Sequence, residues 1–471
     1  MAFQPTLMAL AVLALAGCTT IAPDGQRSGV AQLTQGKTGG VDASLAAPNA
    51  ESAQRVAELL AQPLTGDAAV RIALLNNPGL QAAFAQLAIS DADRVQAGRL
   101  PNPHLAVGAF REGQLRTIER TLGFDVLGLL TLPWRSAWQN QQTELAKLKA
   151  AQDVVRLAAD TRKAWVNAVA AQQTAAYMRD VKEGAEAGGE LARRMARVGN
   201  WSRLRQAQEQ VKLADATAQL ARAELAAKTH RERLIRLMGL WGTQTHFTLA
   251  ERLPDLPKAA RDIHDVEAQA IAQRLDVKSA VDASRYVAGS LGYTQASGVI
   301  NALAVSYQRN TTFNNATGDR DTERGFELEL VLPIFDWGSA RNARAEAIYM
   351  QSVAQVAETA GQARSEAREA YFAYRTAYDL AVAYRDEVVP LRQFITAETV
   401  LRYNGMFASV WDLLGETAKS VLAVNAAIEA QRDFWLADTD LQTALTATSP
   451  GSLQRLSTYT TSTAAGDAKE H

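Results

Sequence analysis

The sequence has a single cysteine among 471 residues, so the chain cannot form an internal disulfide bond. Proline is sparse, at 13 residues, which is compatible with long uninterrupted helices. The formal net charge is only −1, so the charge balance favours neither a nucleic acid nor an acidic partner.

Long apolar runs are also missing. Although 47% of the residues are hydrophobic, no uninterrupted apolar stretch reaches the roughly 20 residues that a spanning helix needs, and the apolar stretch at the start of the chain is also shorter than that. Any crossing of a membrane must therefore be made by strands.

Sequence signatures of enzymes and metal sites are absent as well. There is no nucleophile elbow, phosphate-binding loop, dinucleotide fingerprint or zinc-binding helix motif. The five histidines are scattered without ligand spacing, and the methionines do not cluster. We therefore predict no catalytic residue, no metal site and no cofactor, and we expect that the protein is not an enzyme.

The sequence contains two copies of one unit. Each copy is predicted to form two strands, a very long helix, a turn and a second long helix. Leu132-Pro133 recurs as Leu332-Pro333, and the helix break at Gly199-Asn200 recurs at Asn404-Gly405. An offset of about 200 residues throughout indicates a duplication. The predicted strands cover about 104–111, 120–132, 300–309 and 323–332, and the predicted helices about 134–197, 202–238, 337–403 and 410–446.

The strands are recognised by alternation of apolar and polar residues. In the last of them, Phe326, Leu328 and Leu330 alternate with Glu327 and Glu329, which places one face in an apolar medium and the other in a polar one. We therefore predict that Glu327 and Glu329 face a water-filled lumen. The helices are far longer than a globular core needs: one from Trp134 to Arg197 would span on the order of 95 Å.

A four-stranded sheet in a bilayer cannot keep open edges, because the unpaired backbone groups of its edge strands would have no hydrogen-bond partner in the hydrocarbon. Bacterial barrels have eight or more strands. The sequence therefore predicts an oligomer of two, three or four chains, and its physics does not choose among them. The alternative is a soluble four-stranded sheet packed on helices. This alternative does not explain why each strand pair carries a row of apolar residues.

The beginning of the chain has the pattern of an exported lipoprotein. An apolar stretch from Leu7 to Gly17 ends in Leu15-Ala16-Gly17-Cys18, which looks like a bacterial lipobox. We therefore predict a signal peptide over 1–17, a lipidated (palmitate-bearing) Cys18 and an extended linker over 18–63; a free cysteine is the alternative. A polar tail over 449–471 is predicted to be disordered.

Several sequence segments, distributed over nearly all of 64–446, are informative about the family. They are Leu64-Thr65 with Ala69 to Pro78, Leu100-Pro101-Asn102-Pro103, Leu332 to Gly338 with Arg341, Tyr403-Asn404-Gly405 and Asp412-Leu413-Leu414. Together they resemble the outer membrane efflux protein family, the TolC-like outer membrane factors. The lipobox makes the chain similar to the lipoprotein branch that serves resistance-nodulation-division (RND) pumps.

The resemblance implies a mainly α fold with a small β part. Structural repeats over 64–260 and 261–448 would form a homotrimer with a 12-stranded β-barrel continuous with a long periplasmic α-helical barrel. Such proteins are passive exit ducts of tripartite complexes. The implied partners are a periplasmic adaptor (membrane fusion) protein, an RND-type inner-membrane pump and outer-membrane lipid. The expected location is the outer membrane, lipid-anchored and extending into the periplasm.

Two helix–turn–helix tips are the candidate working parts. The resemblance implies that they contact the adaptor. The alternative is that they only reverse the chain, with Gly199 and Gly405 supplying the left-handed backbone that a tight reversal requires. The candidate tip residues are Arg197, Gly199, Asn200, Tyr403, Asn404 and Gly405.

Asp412, with Glu416 one turn further, is the candidate periplasmic gate, because family members carry acidic residues in this segment. Ser409 and Asp412 also fit a capping box, and the two roles are compatible. Two other functions stay open: a type I protein-secretion duct of the same fold, and a non-transporting structural envelope lipoprotein.

Overall fold

The computed structural model describes residues 20–41, 45, 49–297, 303–330, 335 and 337–451. The predicted order of two strands, a very long helix, a turn and a long helix occurs twice in it. The predicted signal peptide, Cys18, residues 300–302, residues 331–332 and residues 452–471 lie outside the described part.

The strands are β1 (His104–Glu112), β2 (Leu115–Asp125), β3 (Leu303–Asn314) and β4 (Arg320–Leu330). The helices before β3 are α1 (Arg27–Thr34), α2 (Ala50–Leu60), α3 (Gly66–Asn76), α4 (Pro78–Ala97), α5 (Val126–Leu130), α6 (Leu132–Arg197), α7 (Arg203–Met238), α8 (Val266–Gln273) and α9 (Leu275–Ser297). The later ones are α10 (Ser339–Ala383), α11 (Val389–Asn404) and α12 (Val410–Thr446). The 66-residue α6 confirms the prediction of a very long helix after the first strand pair.

The second strand ends earlier than predicted. Its alternation was expected to continue to residue 132, but Val126 already begins the short helix α5. The reason is a helix cap, since the side chain of Asp125 accepts a hydrogen bond from the Gly128 amide at 2.8 Å. Asp125 thus stops the strand by satisfying an amide of the following turn.

The helix predicted over 337–403 is not uniform. A π-helical segment, Tyr384–Val388, separates α10 from α11. Pro390 lies at the start of α11, lacks an amide hydrogen and crowds the carbonyl four residues before it, Asp386. A local widening of the helix before the proline accommodates this crowding.

The prediction of an extended linker over 18–63 is wrong for the described residues, which include α1 and α2. Val30 and Val56 are buried, and Asn49 and Ser52 form a capping box at the start of α2. The Lys37 ammonium donates to the carbonyl oxygens of Gln273 at 2.6 Å and Thr446 at 2.9 Å. A few apolar and charged anchors are therefore enough to fold this segment onto the rest of the chain, although its composition is polar.

The chain divides into two compact units, and neither coincides with one sequence repeat. The first comprises Met1–Val30, Ala83–Ala150 and Val277–Thr359, and it contains the sheet. The second comprises Ala31–Ala82, Ala151–Asp276 and Ala360–His471. Each unit therefore takes segments from both copies of the duplicated sequence.

The second unit contains two apolar clusters. One gathers Leu64, Ile72, Trp165 and Leu234, and the Trp165 indole donates a hydrogen bond to the Leu64 carbonyl at 2.8 Å. The other is rich in alanine and is centred on Tyr374 and Phe434, whose ring centroids lie 5.6 Å apart. Small alanine side chains let the helix backbones approach closely around the two rings.

The last helix of each repeat is capped by a residue from the start of that repeat. The Asn77 side chain donates to the Leu237 carbonyl at 2.8 Å, and the Arg274 guanidinium donates to the Ala444 carbonyl at 3.5 Å. Both donors therefore satisfy carbonyl groups at helix ends that have no partner within the helix. Asn77 and Arg274 are separated by about the same 200 residues as the two copies of the repeat.

Among the described residues, no helix is both long enough and apolar enough to cross a membrane.

Candidate functional site

The sheet of the first unit is antiparallel, in the order β1-β2-β3-β4, so that β1 and β4 are its edge strands. Because residues directly opposite each other in such a sheet point to the same side, the register defines two faces. The apolar face carries Leu105, Leu122, Phe124, Tyr307, Phe326 and Leu328 at the end where the helices join. The acidic face carries Glu112, Glu119, Asp125, Asp321, Glu323, Glu327 and Glu329.

All of these apolar side chains except the half-buried Tyr307 are exposed in the single chain. Phe326 is 83% and Leu105 is 70% accessible, and the Tyr307 and Phe326 rings approach to 5.3 Å between centroids. A row of large apolar groups across four strands is far more than the scattered apolar residues of an ordinary protein surface. Such a face requires an apolar surrounding.

Both lumen candidates lie on the acidic face. Glu327 accepts hydrogen bonds from Ser306 at 3.3 Å and from Gln308, its neighbours on β3, and Glu329 is exposed two residues further along β4. The sequence prediction that these carboxylates point away from the apolar row therefore agrees with the register.

The first tip lies in the second unit, between α6 and α7. The Asn200 amide donates to the Met195 carbonyl at 3.0 Å, and Gly199 adopts a φ of 79°. This is the Schellman arrangement, in which glycine takes the left-handed position. Ser202 then caps α7 by accepting from the Arg205 amide.

The second tip has the same arrangement, but the left-handed residue is not its glycine. Gly405 has a φ of −79°, whereas Met406 has a φ of 64°, and the Phe407 amide donates to the Arg402 carbonyl at 2.8 Å. The expectation that Gly405 supplies the left-handed backbone is therefore wrong. In the first tip the left-handed residue is the glycine itself, whereas in the second tip it is the residue after the glycine. Met406 therefore adopts a left-handed conformation that costs a non-glycine residue about 1–2 kcal/mol.

The two tips contact each other through Trp201 and Trp411, whose ring centroids lie 3.9 Å apart at an interplanar angle of 31°. Both rings are half-buried. Met406 and Phe407, by contrast, are 95% and 87% exposed beside them. Trp201, Met406 and Phe407 lie within the two predicted tips, but the contact of Trp201 with Trp411 was not predicted from the sequence.

The gate candidate Asp412 is the third residue of α12 and closes a capping box. Its carboxylate accepts from the Ser409 hydroxyl at 2.7 Å and from the Ser409 amide at 2.8 Å. These hydrogen bonds, that of the hydroxyl first, hold the pKa of Asp412 below its usual value. The carboxylate is exposed and stays ionised, so that the predicted capping is confirmed and a charge remains available at the tip.

Glu416 has a different environment. Its carboxylate lies 2.6 Å from the Lys419 ammonium and 3.7 Å from the Arg392 guanidinium of α11. Glu416 is therefore partly neutralised by its own chain, and Asp412 is the more available of the two acidic groups.

The other tip candidates share an exposed position. Arg197, Asn200, Tyr403, Asn404 and Gly405 are all exposed, and Gly199 shapes the backbone of the first turn. Within the residues that the structure describes, no group of three or more histidine, cysteine or acidic side chains is arranged to hold a metal ion.

No protein-family model matches the chain, and no curated protein matches it. Solved structures do. The Campylobacter jejuni CmeC outer membrane channel superposes with a TM-score of 0.68 at 15% identity, over 81% of this chain and 85% of that one.

A membrane protein from Pseudomonas aeruginosa gives a TM-score of 0.66 at 20% identity, over 84% of this chain and 94% of that one. The open state of the Neisseria gonorrhoeae MtrE outer membrane channel gives 0.64 at 18% identity, over 80% and 88%. The chain therefore has the fold of outer membrane channels, and the expected fold class, mainly helical with a small sheet, is confirmed.

Proposed function

We propose that this chain, which has the fold of outer membrane channels, is a TolC-like outer membrane factor. It acts as the exit duct of a tripartite efflux complex. In this proposal three copies assemble, and substrates pass through the assembly to the outside without any chemistry performed by the chain itself.

The observation that carries the proposal is the two-faced sheet. An apolar row across all four strands suits lipid, and seven carboxylates on the other face suit a water-filled lumen. A sheet with the edge strands β1 and β4 cannot remain open in a bilayer, because every backbone group there must be paired. Three chains contribute twelve strands, within the range of known bacterial barrels.

The tips are proposed as the contact with a periplasmic adaptor protein. Met406 and Phe407 offer exposed apolar surface at the turn, and the flanking candidates Arg197, Asn200 and Tyr403 are exposed as well. An RND-type pump in the inner membrane would supply the energy, since a passive duct has no energy source of its own.

Asp412 is proposed as the gate residue, with Glu416 in a secondary role. Three symmetry-related Asp412 carboxylates would form an acidic ring that favours cations over anions. The capping hydrogen bonds from Ser409 support this, because they fix the carboxylate in place and keep it charged.

Lipidation at Cys18 is proposed from the sequence, as is release to the outer membrane. The lipid would add to the anchoring by the barrel.

The test of the function is a clean deletion strain compared with the same strain carrying the gene on a plasmid. Dyes, detergents, antibiotics and metal ions are tested side by side. Increased sensitivity that the plasmid reverses supports an efflux duct, and the sensitive class names the substrate. Unchanged sensitivity together with loss of an exported polypeptide would replace this proposal by a type I secretion duct.

A further inference from the structure

Six arginines of the sheet lie on its apolar face, beyond the apolar row. Arg120, Arg309 and Arg324 are direct partners on β2, β3 and β4 and form one row. The other three arginines surround Phe313, which lies four residues further along β3. Phe313 pairs with Arg116 of β2 and with Arg320 of β4, and Arg116 pairs in turn with Arg111 of β1. We call the first three residues the arginine row.

The sheet separates these cations from the nearest carboxylates. Glu119 precedes Arg120 and Glu323 precedes Arg324, but strand alternation sends both carboxylates to the acidic face. Within the described residues, none of the six guanidinium groups forms an ion pair, and Arg320 lies over the Phe313 ring at 5.5 Å. The apolar face therefore carries only positive charge, and the opposite face carries seven carboxylates.

The position of the arginine row along the strands identifies the membrane leaflet. Both hairpin turns, after Glu112 and after Asn314, are at one end of the sheet, and the strand ends that lead into helices are at the other. Exposed Trp134 and Trp337 lie just beyond the helix-joined end, where aromatic residues mark a membrane interface. The arginines occupy the hairpin half of the sheet.

The chemistry of a ligand for this surface follows from its two parts. Neighbouring strands are about 4.8 Å apart, so three guanidinium groups side by side match the oxygens of a phosphate group, which arginine binds bidentately. Two residues away, Leu105, Leu122 and Phe326 present a surface for acyl chains. Phosphate and acyl chains together are the chemistry of an anionic lipid.

We propose that the arginine row binds the phosphorylated headgroup of lipopolysaccharide in the outer leaflet. The inference rests on the proposed function, because the helices must be periplasmic for the hairpins to face outwards. Arginines in this position avoid most of the cost of about 2–4 kcal/mol that a lipid-facing arginine has at the middle of a bilayer. An acidic polypeptide would satisfy the charges but not the adjoining apolar row.

The test uses the full-length protein, purified, delipidated and returned to phosphatidylethanolamine vesicles with added lipopolysaccharide. Bound lipopolysaccharide is measured for the wild type, for R120Q/R309Q/R324Q and for R120K/R309K/R324K. The matched control, R99Q/R222Q/R344Q, removes the same charge from exposed arginines on helices and at a helix end. Lipopolysaccharide whose phosphates have been removed is the ligand control.

We expect the glutamine variant to bind about tenfold more weakly, because it loses charge-assisted hydrogen bonds. The lysine variant should be intermediate, since it keeps the charge without the bidentate geometry. The helix control should bind like the wild type, and removal of the ligand's phosphates should abolish the difference.

Equal binding by wild type and glutamine variant would overturn the inference, as would equal binding of ligand with and without phosphate. Channel currents recorded from the same preparations separate this result from the function: a conducting protein with unchanged lipid binding refutes only the lipid site. A wild-type protein that neither assembles nor conducts would overturn both.

Discussion

Trp201 and Trp411 stack at the turns of two different helix pairs, with ring centroids 3.9 Å apart, although 210 positions separate them in the chain. The contact ties the two duplicated tips of the second unit together. The tip candidates of both repeats therefore form one surface.

Removing one ring should loosen both tips. An aromatic pair of this kind contributes about 0.5–1.5 kcal/mol beyond its area burial. We expect Trp411→Ala to increase hydrogen exchange at Gly199 and Asn200 as well as at its own turn. Trp241→Ala, which removes an 80% exposed ring, is the control and should leave exchange at the tips unchanged. Increased exchange at the second tip alone would show that the stacking does not couple the turns.

The Asp412 carboxylate should remain charged further into acid than an ordinary aspartate. Its pKa is lowered in the folded protein, first by the Ser409 hydroxyl, so capping persists above the lowered pKa and is lost only as pH falls through it. Currents recorded from purified wild-type protein should differ from those of Asp412→Asn as long as the carboxylate is charged. This difference should therefore persist at pH values below the usual pKa of an aspartate. Ser409→Ala should move the loss of that difference to higher pH; an unchanged titration would show that the hydroxyl does not set the pKa.

Gly239 should tolerate no side chain. It ends α7 with a φ of 67°, and an added Cβ would lie 2.6 Å from the Asn76 carbonyl oxygen. Gly242 has a φ of 59° with no atom within 4 Å, so Gly242→Ala isolates the backbone cost of about 1–2 kcal/mol. Thermal unfolding followed by circular dichroism should show a larger loss for Gly239→Ala. Equal losses would mean that the Asn76 contact relaxes freely.

Arg274 should be important for the stability of the second unit. Its guanidinium is buried and lies 2.6 Å from Asp276 and 2.8 Å from Glu366. Arg274→Ala leaves two carboxylates without their cation, and we expect a loss of about 3–5 kcal/mol in the free energy of unfolding. The exposed pair of Arg368 with Glu267, at 3.5 Å, is the comparison, and its loss should cost about 0–1 kcal/mol. Similar values for the two variants would contradict the buried role.

Periodicity was sufficient to predict the duplicated strands and helices, because alternation and helical spacing persist over long segments. Short-range chemistry interrupts those patterns where periodicity cannot show it. Asp125 ends β2 and caps the following helix by accepting one hydrogen bond from the Gly128 amide. Pro390 follows a π-helical segment that interrupts the long helix. The polar composition of the first segment likewise hid the buried Val30 and Val56.

The candidate site was only partly visible in the sequence. Capping by Ser409 and Asp412 follows from local spacing, and so does the alternation that places Glu327 and Glu329 on one face. The Trp201–Trp411 contact and the arginine row depend instead on pairing between distant segments, and no local pattern encodes the strand register. Met406 in the left-handed conformation shows the same limit, since the nearby glycine was the expected residue.

The central claim, that copies of this chain close into a conducting duct, is tested most directly by single-channel recording in planar bilayers. The full-length protein is purified in detergent, and its oligomeric state is measured on the same sample. We predict a detergent-resistant trimer that gives discrete current steps and prefers cations, because carboxylates line the proposed lumen. A stable monomer, or a trimer that never conducts under conditions in which a control porin does, would contradict the account.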